Sequence, residues 1–190
     1  QSGNGLPPFG AVQSIVSSGS ALLTAMNGRV YKSTNNGDTW FQTDNSIVEF
    51  VYFDFVTRIG NTVYAHGMTV YRTTDEGTTW IDSDGGMAAF FRVDAIASNG
   101  TYLFAGGQFS STLYRSSDNG DPWQERAPLP SNGMIFQFLG YGNNIFACSP
   151  NNGIFISTND GGNWNKISNG LPNTNYRYTI EILNNWMFAG

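Results

Sequence analysis

Two acidic residues at matching positions are the strongest candidates for chemistry in this 190-residue sequence. Asp54 and Asp94 each lie eleven residues before an alanine that belongs to a repeated motif, described below. The same position holds Ser14, Phe136 and Tyr178 in the other copies. Two carboxylates on adjacent strands suit the acid and the base of a glycosidase. The structural alternative is a pair of solvated acids, or of partners for Arg58 or Arg92.

A second candidate is a set of cations at one equivalent position of the repeats. The position holds Lys32, Arg72, Arg115 and, in the fourth copy, Ile156. Such a set could bind an anionic sugar or the acidic groups of a neighbouring protein. The structural alternative is that each long side chain lies along the surface with its charge in water.

The single histidine and the single cysteine exclude several kinds of site. With only His66, no metal site with several histidines can form within the chain, and no serine and aspartate pattern accompanies it as a catalytic triad would require. With only Cys148 there is no internal disulfide, and we expect this thiol to be a small buried side chain. Asn99-Gly100-Thr101 fits the N-glycosylation pattern, within a predicted tight hairpin. We predict no metal and no cofactor.

Composition excludes two classes of partner. The net charge is −5 with only two lysines, whereas a nucleic-acid binder needs a basic face. The apolar runs are short, and the run at 50–56 is interrupted by Asp54, so no segment is expected to span a membrane. Polarity comes from 23 Gly, 21 Asn, Ser and Thr rather than from charge, and Gln1 fits a mature N-terminus after signal cleavage. These features favour a secreted or cell-surface protein, and the resemblance of the repeats described below implies a bacterial origin.

Four segments of eight residues repeat along the chain, and we call them segments 1 to 4. They are Ser33–Trp40, Thr73–Trp80, Ser116–Trp123 and Ser157–Trp164. Their glycines lie 40, 43 and 41 residues apart, and an apolar residue followed by an aromatic one precedes each segment. A second motif that ends in alanine lies upstream of each, as in Val63-Tyr64-Ala65, and a fifth copy is Met187-Phe188-Ala189.

The repeat predicts four strands per unit and an all-β protein. Short β-branched and aromatic runs alternate with Asn-Gly turns, and no stretch has a sustained helical period. A unit of about 40 residues with four strands has the size of one β-propeller blade. The predicted blades cover residues 11–45, 50–84, 90–127, 134–168 and, in part, 176–190.

The segments resemble the Asp-box, or BNR repeat, Ser/Thr-x-Asp-x-Gly-x-Thr-Trp. The resemblance implies blades like those of sialidases, xyloglucanase-type glycoside hydrolases, sortilin-type receptors and photosystem assembly factors, with the segment between the third and fourth strands. The corresponding positions are Asn35, Gly37 and Trp40; Asp75, Gly77 and Trp80; Asp118, Gly120 and Trp123; and Asn159, Gly161 and Trp164. Sialidase catalytic residues cannot be transferred, because Phe91-Arg92-Val93-Asp94 matches the sialidase Phe/Tyr-Arg-Ile-Pro motif in two residues only.

The chemistry of the segment predicts a scaffold role. The third residue can accept hydrogen bonds from nearby N–H groups and fix the turn, and Asn keeps this oxygen where it replaces Asp. The glycine is expected to need a positive φ, and the tryptophan is expected to lie between neighbouring blades.

The repeats predict about four and a half blades, and therefore an incomplete propeller. The fifth copy lacks its third and fourth strands within these 190 residues. We therefore expect residues near 183–190 to contact another chain, as in a homo-oligomer, or a further part of a longer polypeptide.

Three functions remain open at this point. The first is a non-catalytic secreted or cell-surface module that binds glycans or proteins, or that builds an extracellular assembly. The second is a glycoside hydrolase that uses Asp54 and Asp94. The third is a self-assembling subunit of an extracellular filament.

Overall fold

The protein is all-β in the part of the chain that its structure, a computed structural model, describes. This part comprises residues 4–43, 47, 52–107, 109–130, 133–150, 152–171 and 178–190, and it contains no α-helix. Consequently it contains no helix long and apolar enough to cross a membrane. The chain divides into two compact units, Gln1–Asp84 and Gly85–Gly190, and each is described by itself.

Five antiparallel sheets follow one another along the described residues, and within each sheet every strand pairs with the next one. The first unit holds sheet 1, with β1 (Ile15–Ser18), β2 (Ala21–Met26), β3 (Arg29–Ser33) and β4 (Phe41–Gln42), and sheet 2, with β5 (Phe53–Ile59), β6 (Thr62–Gly67), β7 (Val70–Thr73) and β8 (Ile81–Asp82). The second unit holds sheets 3, 4 and 5. Sheet 3 has β9 (Ala95–Ser98), β10 (Leu103–Gly107), β11 (Ser110–Ser116) and β12 (Gln124–Arg126), and sheet 4 has β13 (Gln137–Tyr141), β14 (Asn144–Ser149), β15 (Gly153–Ser157) and β16 (Asn165–Lys166). Sheet 5 has β17 (Ile180–Leu183) and β18 (Trp186–Ala189). All these strands fall inside the five ranges predicted from the repeats.

Tight turns set the pairing of consecutive strands. Met26 pairs with Arg29, so Asn27 and Gly28 form a two-residue hairpin loop between β2 and β3. Both residues have positive φ values, +53° and +76°. The twist of such a turn matches the twist of the strands, which is why Asn-Gly is favoured there.

The hydrophobic core lies between neighbouring sheets within each unit. In the first unit Leu23 and Val30 of sheet 1 pack with Val56 and Val63 of sheet 2. In the second unit the largest cluster joins sheets 3 and 4, with Phe104, Leu113, Phe138, Ile145 and Phe155 among its members. A smaller cluster joins Phe146 and Ile154 of sheet 4 to Ile180 of sheet 5. Full burial of one such side chain contributes about 1.5–3 kcal/mol.

The observed register corrects one part of the predicted repeat. Ala65, Ala105 and Ala147 pair with Tyr71, Tyr114 and Phe155 on the third strand of their sheets. In sheet 1 the corresponding partner of Tyr31 is Thr24, not Ala25. Residue type alone aligns Ala25 with the other alanines, although Thr24 lies opposite the aromatic residue of β3, so counting back from Ala25 misplaces this copy by one residue. Gln13, rather than Ser14, therefore occupies the position of Asp54.

Candidate functional site

Each repeat segment forms the turn between the third and fourth strands of its sheet. The hydroxyl of its first residue accepts a hydrogen bond from the N–H of its glycine. The pairs are Ser33 and Gly37, Thr73 and Gly77, Ser116 and Gly120, and Ser157 and Gly161, at 2.9, 3.0, 3.1 and 2.9 Å. The φ values of these glycines lie between +77° and +90°, a region that residues with a Cβ rarely adopt.

The third residue of the segment closes the same turn. Its Oδ1 accepts the backbone N–H of the seventh residue in three segments; the acceptors are Asn35, Asp75 and Asn159, at 2.9, 2.9 and 2.8 Å. In segment 3 the N–H of Asp118 donates to Ser116 Oγ at 3.1 Å. The third residue is thus committed to the turn, whether it is Asp or Asn.

The carboxylate of Asp75 is held ionised by its turn. Burial by itself raises the pKa of this carboxyl, but hydrogen bonds donated by Thr79, Thr73 and Thr78 outweigh it and lower the pKa to about 2. Asp75 therefore stays charged at any physiological pH, and it is not placed to exchange a proton.

Two segments also join their sheet to the preceding one. In the first unit a Cβ on Gly77 would stand 2.9 Å from Leu23 Cδ2, and Glu76 accepts a hydrogen bond from Ser20 Oγ at 3.2 Å. In the second unit a Cβ on Gly161 would stand 2.9 Å from Phe104 Cε1. The glycine thus allows the turn to pack directly on its neighbour.

The four segment tryptophans are buried. Trp40, Trp80, Trp123 and Trp164 are exposed by 7, 4, 2 and 7%. Trp80 packs in the core between sheets 1 and 2, and Trp164 packs in the core between sheets 3 and 4. This geometry favours a scaffold role, because buried indoles cannot form a flat surface for a ligand.

Asp54 lies in a cleft of the first unit, at the end where β5 begins and β6 ends. The cleft has a volume of about 250 Å³, and Gln13, Asn27 and Tyr52 line it together with Asp54. The Tyr52 ring is 62% exposed. It packs on Gly28, where a Cβ would stand 2.7 Å from its Cδ1. An aromatic ring, a carboxylate and two amides thus face one opening.

The position of Asp54 depends on a glycine on the next strand. A β-bulge interrupts the pairing of β5 and β6 between Phe53 and Phe55, and Asp54 is the extra residue. A Cβ on Gly67 would stand 2.4 Å from Tyr52 O and 3.2 Å from Asp54 Oδ2. Only glycine leaves space for this approach, which brings the Asp54 carboxylate over the end of β6.

Asp94 lies in equivalent surroundings in the second unit, where its carboxylate is buried and paired with an arginine. Asp94 Oδ1 accepts a hydrogen bond from Arg92 Nε at 2.9 Å, and the Asp94 side chain is 3% exposed. A Cβ on Gly107 would stand 3.1 Å from Asp94 Oδ2, just as a Cβ on Gly67 would stand 3.2 Å from Asp54 Oδ2. The structure thus shows the ion pair that was the structural alternative for Asp94. Asp54 and Asp94 belong to different units.

Comparisons with known proteins identify the fold. No family model matches the chain, and no curated protein matches it. Among solved structures, an ancestral GH74 enzyme aligns with 90% of this chain at 20% identity and a TM-score of 0.63. YCF48 from Cyanidioschyzon merolae and the computationally designed Ika8 protein each align with 95% of it, at 16% and 11% identity and TM-scores of 0.66. The chain has a β-propeller fold.

The similarity extends over only part of the known propellers. The chain spans about a quarter of the GH74 enzyme, 62% of YCF48 and 55% of the designed protein. A further YCF48 structure, which aligns equally well, holds a D1 peptide. Similar propellers thus include an enzyme and a peptide-binding protein.

The cations at the shared position of the propeller repeats have structural contacts where the structure shows them. Arg115 donates to the carbonyl oxygen of Asp160 at 3.0 Å, and its guanidinium lies 4.1 Å from the Tyr102 ring centre. Lys32, Arg72 and Ile156 are half-buried on their strands. Arg115 therefore supports the structural interpretation rather than an anion site.

His66 and Cys148 are both buried in their propeller sheets, and neither is placed for catalysis. His66 Nε2 is 2.9 Å from Thr57 Oγ1, and its ring stacks on Phe55 with the ring centres 5.4 Å apart. Burial raises the pKa of the Cys148 thiol to about 12, so the reactive thiolate is scarce. No group of three or more His, Cys, Asp or Glu side chains is placed to hold a metal within the described ranges.

The Asn99 side chain is not available for glycosylation. It is 3% exposed. Its Nδ2 donates to Asn143 O at 3.1 Å and to Asp160 Oδ1 at 2.7 Å. Asn99 thus holds segment 4 against the turn that precedes β10.

Sequence reasoning missed Tyr52, Gln13 and Asn27, which surround Asp54. Gln13 was hidden by the misplaced register of sheet 1. The available signal was the glycine two residues after the repeat alanine, Gly67 or Gly107, which marks the close approach of the first strand.

Proposed function

We propose that this chain is a non-catalytic binding module of a secreted or cell-surface bacterial protein, and that it binds glycans in the Asp54 cleft. The observation that carries the proposal is the exposed Tyr52 ring beside Asp54, Asn27 and Gln13. A sugar presents C–H groups on its ring face and hydroxyls on its rim. An aromatic surface flanked by a few planar polar groups matches both features.

The polar groups of the cleft can serve a sugar hydroxyl in both directions. A carboxylate has four acceptor positions on its two oxygens, and an amide offers two donors and an acceptor. Asn27 Nδ2 donates to the carbonyl oxygen of Phe9 at 2.6 Å, which fixes the chain at the rim.

A hydrolytic role is less well supported. A glycosidase needs two carboxyl groups on either side of the scissile bond. Asp94, the partner that the repeats suggest for Asp54, is buried in its ion pair with Arg92. Asp54 is the one carboxylate among the described residues that line the cleft.

Glycan-array binding followed by titration calorimetry tests the proposal. We expect Tyr52→Ala and Asp54→Asn each to weaken binding by about tenfold or more, which corresponds to about 1.4 kcal/mol. Phe41→Ala and Asp38→Asn are matched controls, because both residues are exposed in the same unit and neither lines the cleft. They should leave binding unchanged.

Two results would reject the proposal. One is the absence of any glycan whose binding both cleft variants weaken. The other is release of sugar products from the same glycan panel by the unmodified chain and its loss in Asp54→Asn, which would establish the hydrolase instead.

A further inference from the structure

A second groove lies in the second unit, beside segment 4. Its volume is about 550 Å³, inside the range of about 300–1,000 Å³ that is usual for ligand pockets. One wall is the connector after β12, with Pro128 and Pro130, and the other is segment 4, with Asn159, Asn163 and Trp164. We call it the segment-4 groove.

Segment 4 leaves open a contact that segment 1 closes. Both have Asn at the third position. In segment 1, Asn35 Nδ2 donates to Thr39 Oγ1 at 2.8 Å. In segment 4 the seventh residue is Asn163 instead of Thr, and Asn159 Nδ2 donates to no atom of the described residues. The Asn159 amide therefore presents two N–H groups to the groove that it lines.

The tryptophan of segment 4 differs in the same way. Trp40 Nε1 donates to Gly37 O at 3.0 Å. Trp164 is 7% exposed, and its buried Nε1–H has no acceptor among the described residues. A buried N–H without an acceptor destabilises the fold, so it usually marks a position that a water molecule or a ligand completes.

The sixth residue of segment 4 widens the opening. Segments 1, 2 and 3 have Asp38, Thr78 and Asp121 at this position, whereas segment 4 has Gly162. A Cβ on Gly162 would stand 3.2 Å from Asn159 Nδ2. Because glycine has no Cβ, the Asn159 amide remains accessible from the groove.

The lining selects an uncharged ligand rich in acceptor oxygens. No charged side chain lines the groove among the described residues, so neither an anion nor a cation would find its counter-charge. Unused N–H donors require acceptors such as hydroxyl and ring oxygens. The two prolines offer apolar faces. We propose that the segment-4 groove binds a neutral oligosaccharide, as a site separate from the Asp54 cleft.

Asn163→Thr is the decisive variant. It installs the residue that segment 1 carries, whose hydroxyl would accept the Asn159 amide and close the groove. Because segments 1 and 2 fold with Thr there, the variant should fold with an unchanged melting temperature. The probes are neutral cello-, xylo- and malto-oligosaccharides of four to six units. The most tightly bound of these should bind to Asn163→Thr at least about tenfold more weakly.

Two further readouts separate this groove from the Asp54 cleft. Tyr52→Ala and Asp54→Asn should leave oligosaccharide binding at the segment-4 groove unchanged, so each of these variants would retain one binding site. The indole N–H resonance of Trp164, followed by ¹H–¹⁵N NMR, should shift on titration of the oligosaccharide in the unmodified chain and not in Asn163→Thr.

Three outcomes would overturn the inference. They are complete loss of oligosaccharide binding in Tyr52→Ala, unchanged affinity in Asn163→Thr, and a Trp164 resonance that does not respond to saturating ligand. A sulfated oligosaccharide that binds more tightly than its neutral parent would overturn the assigned ligand class.

Discussion

Single residues of the repeat segments have roles that their chemistry defines. The hydroxyl at the first position, the oxygen at the third and the glycine at the fifth form one hydrogen-bonded turn in segments 1, 2 and 4. Asn replaces Asp in two segments without loss of that turn. What the replacement removes is the charge, and with it a dependence on pH.

Asp75 should make the stability of the protein depend on pH. Its folded pKa of about 2 is below the ordinary value of 3.8, so the ionised form stabilises the fold above about pH 4, and this contribution disappears as the pH falls through 2. The free energy of unfolding, measured by urea denaturation from pH 5 to pH 2, should fall more steeply in the unmodified chain than in Asp75→Asn. Asp38→Asn is the control, because it removes an exposed carboxylate of segment 1, and its pH dependence should match that of the unmodified chain. A constant difference between the unmodified chain and Asp75→Asn across this range would contradict the assignment.

Gly77 should be far less replaceable than a glycine in an open turn. Alanine at Gly60, where φ is +60° and no atom lies within 4 Å of the added Cβ, pays only the backbone cost of about 1 kcal/mol. Alanine at Gly77 also presses on Leu23, and the total should be about 2–4 kcal/mol. Denaturant unfolding of both variants measures the difference. Equal losses would show that packing against sheet 1 contributes nothing.

At the scale of strands and turns, segments 2 and 4 connect neighbouring sheets through their tryptophans. The indoles of Trp80 and Trp164 fill the cores between two sheets. The contribution of each indole to stability depends on the volume that it fills in the core.

Truncation of a segment tryptophan should cost about 3–5 kcal/mol, because it leaves a large cavity in the core. Trp80→Ala and Trp164→Ala are the test variants. Trp186→Ala is the matched control, because that indole is 74% exposed and its loss opens no cavity. Thermal unfolding should separate the two classes clearly. If Trp80→Ala proved as stable as Trp186→Ala, the scaffold role would be wrong.

The elements were more predictable than the positions of individual side chains. Strand content, the Asn-Gly turns and the four-strand unit follow from short-range patterns, and each strand of the described residues lies inside a range given by the repeats. The register of sheet 1 did not follow, because residue type alone aligns Ala25 with Ala65, whereas Thr24 lies opposite Tyr31 of β3. The cleft residues were missed for a related reason. The exposure of Tyr52 depends on the bulge at Asp54 and on close approaches to Gly28 and Gly67, and hydrophobic periodicity does not report these contacts.

At the scale of the whole molecule, sheet 5 differs from the other four. It consists of the hairpin β17–β18, and Leu183, Trp186 and Phe188 are exposed by 61, 74 and 57%. Gln137 fixes this hairpin to sheet 4, since its side-chain amide donates to Ile180 O at 2.9 Å and accepts the Ile180 N–H at 2.8 Å. The hairpin is thus held in place while much of its apolar surface faces outward.

We expect protein surface to cover this hairpin, either from another chain or from a further part of a longer polypeptide. Light scattering coupled to size exclusion should show that the 190-residue chain associates as its concentration rises. The double variant Trp186→Ser with Phe188→Ser should associate less, while Phe41→Ala, at an exposed aromatic residue on β4, should behave like the unmodified chain. A chain that stays monomeric and soluble at high concentration would count against the expectation.

The contacts between each turn and the sheet before it also bear on how such a protein can change over evolutionary time. The residue before the segment glycine is Glu76 in one copy and Asp160 in another, and each meets its own partner, Ser20 or Asn99. The two copies therefore have different side-chain pairs at their junctions. Exchange of two blades would place Glu76 opposite Asn99 and Asp160 opposite Ser20, with different side-chain lengths at both junctions. The contacts between neighbouring sheets therefore depend on the order of the repeats. An exchange of two copies would lose these hydrogen bonds even though the copies have the same fold.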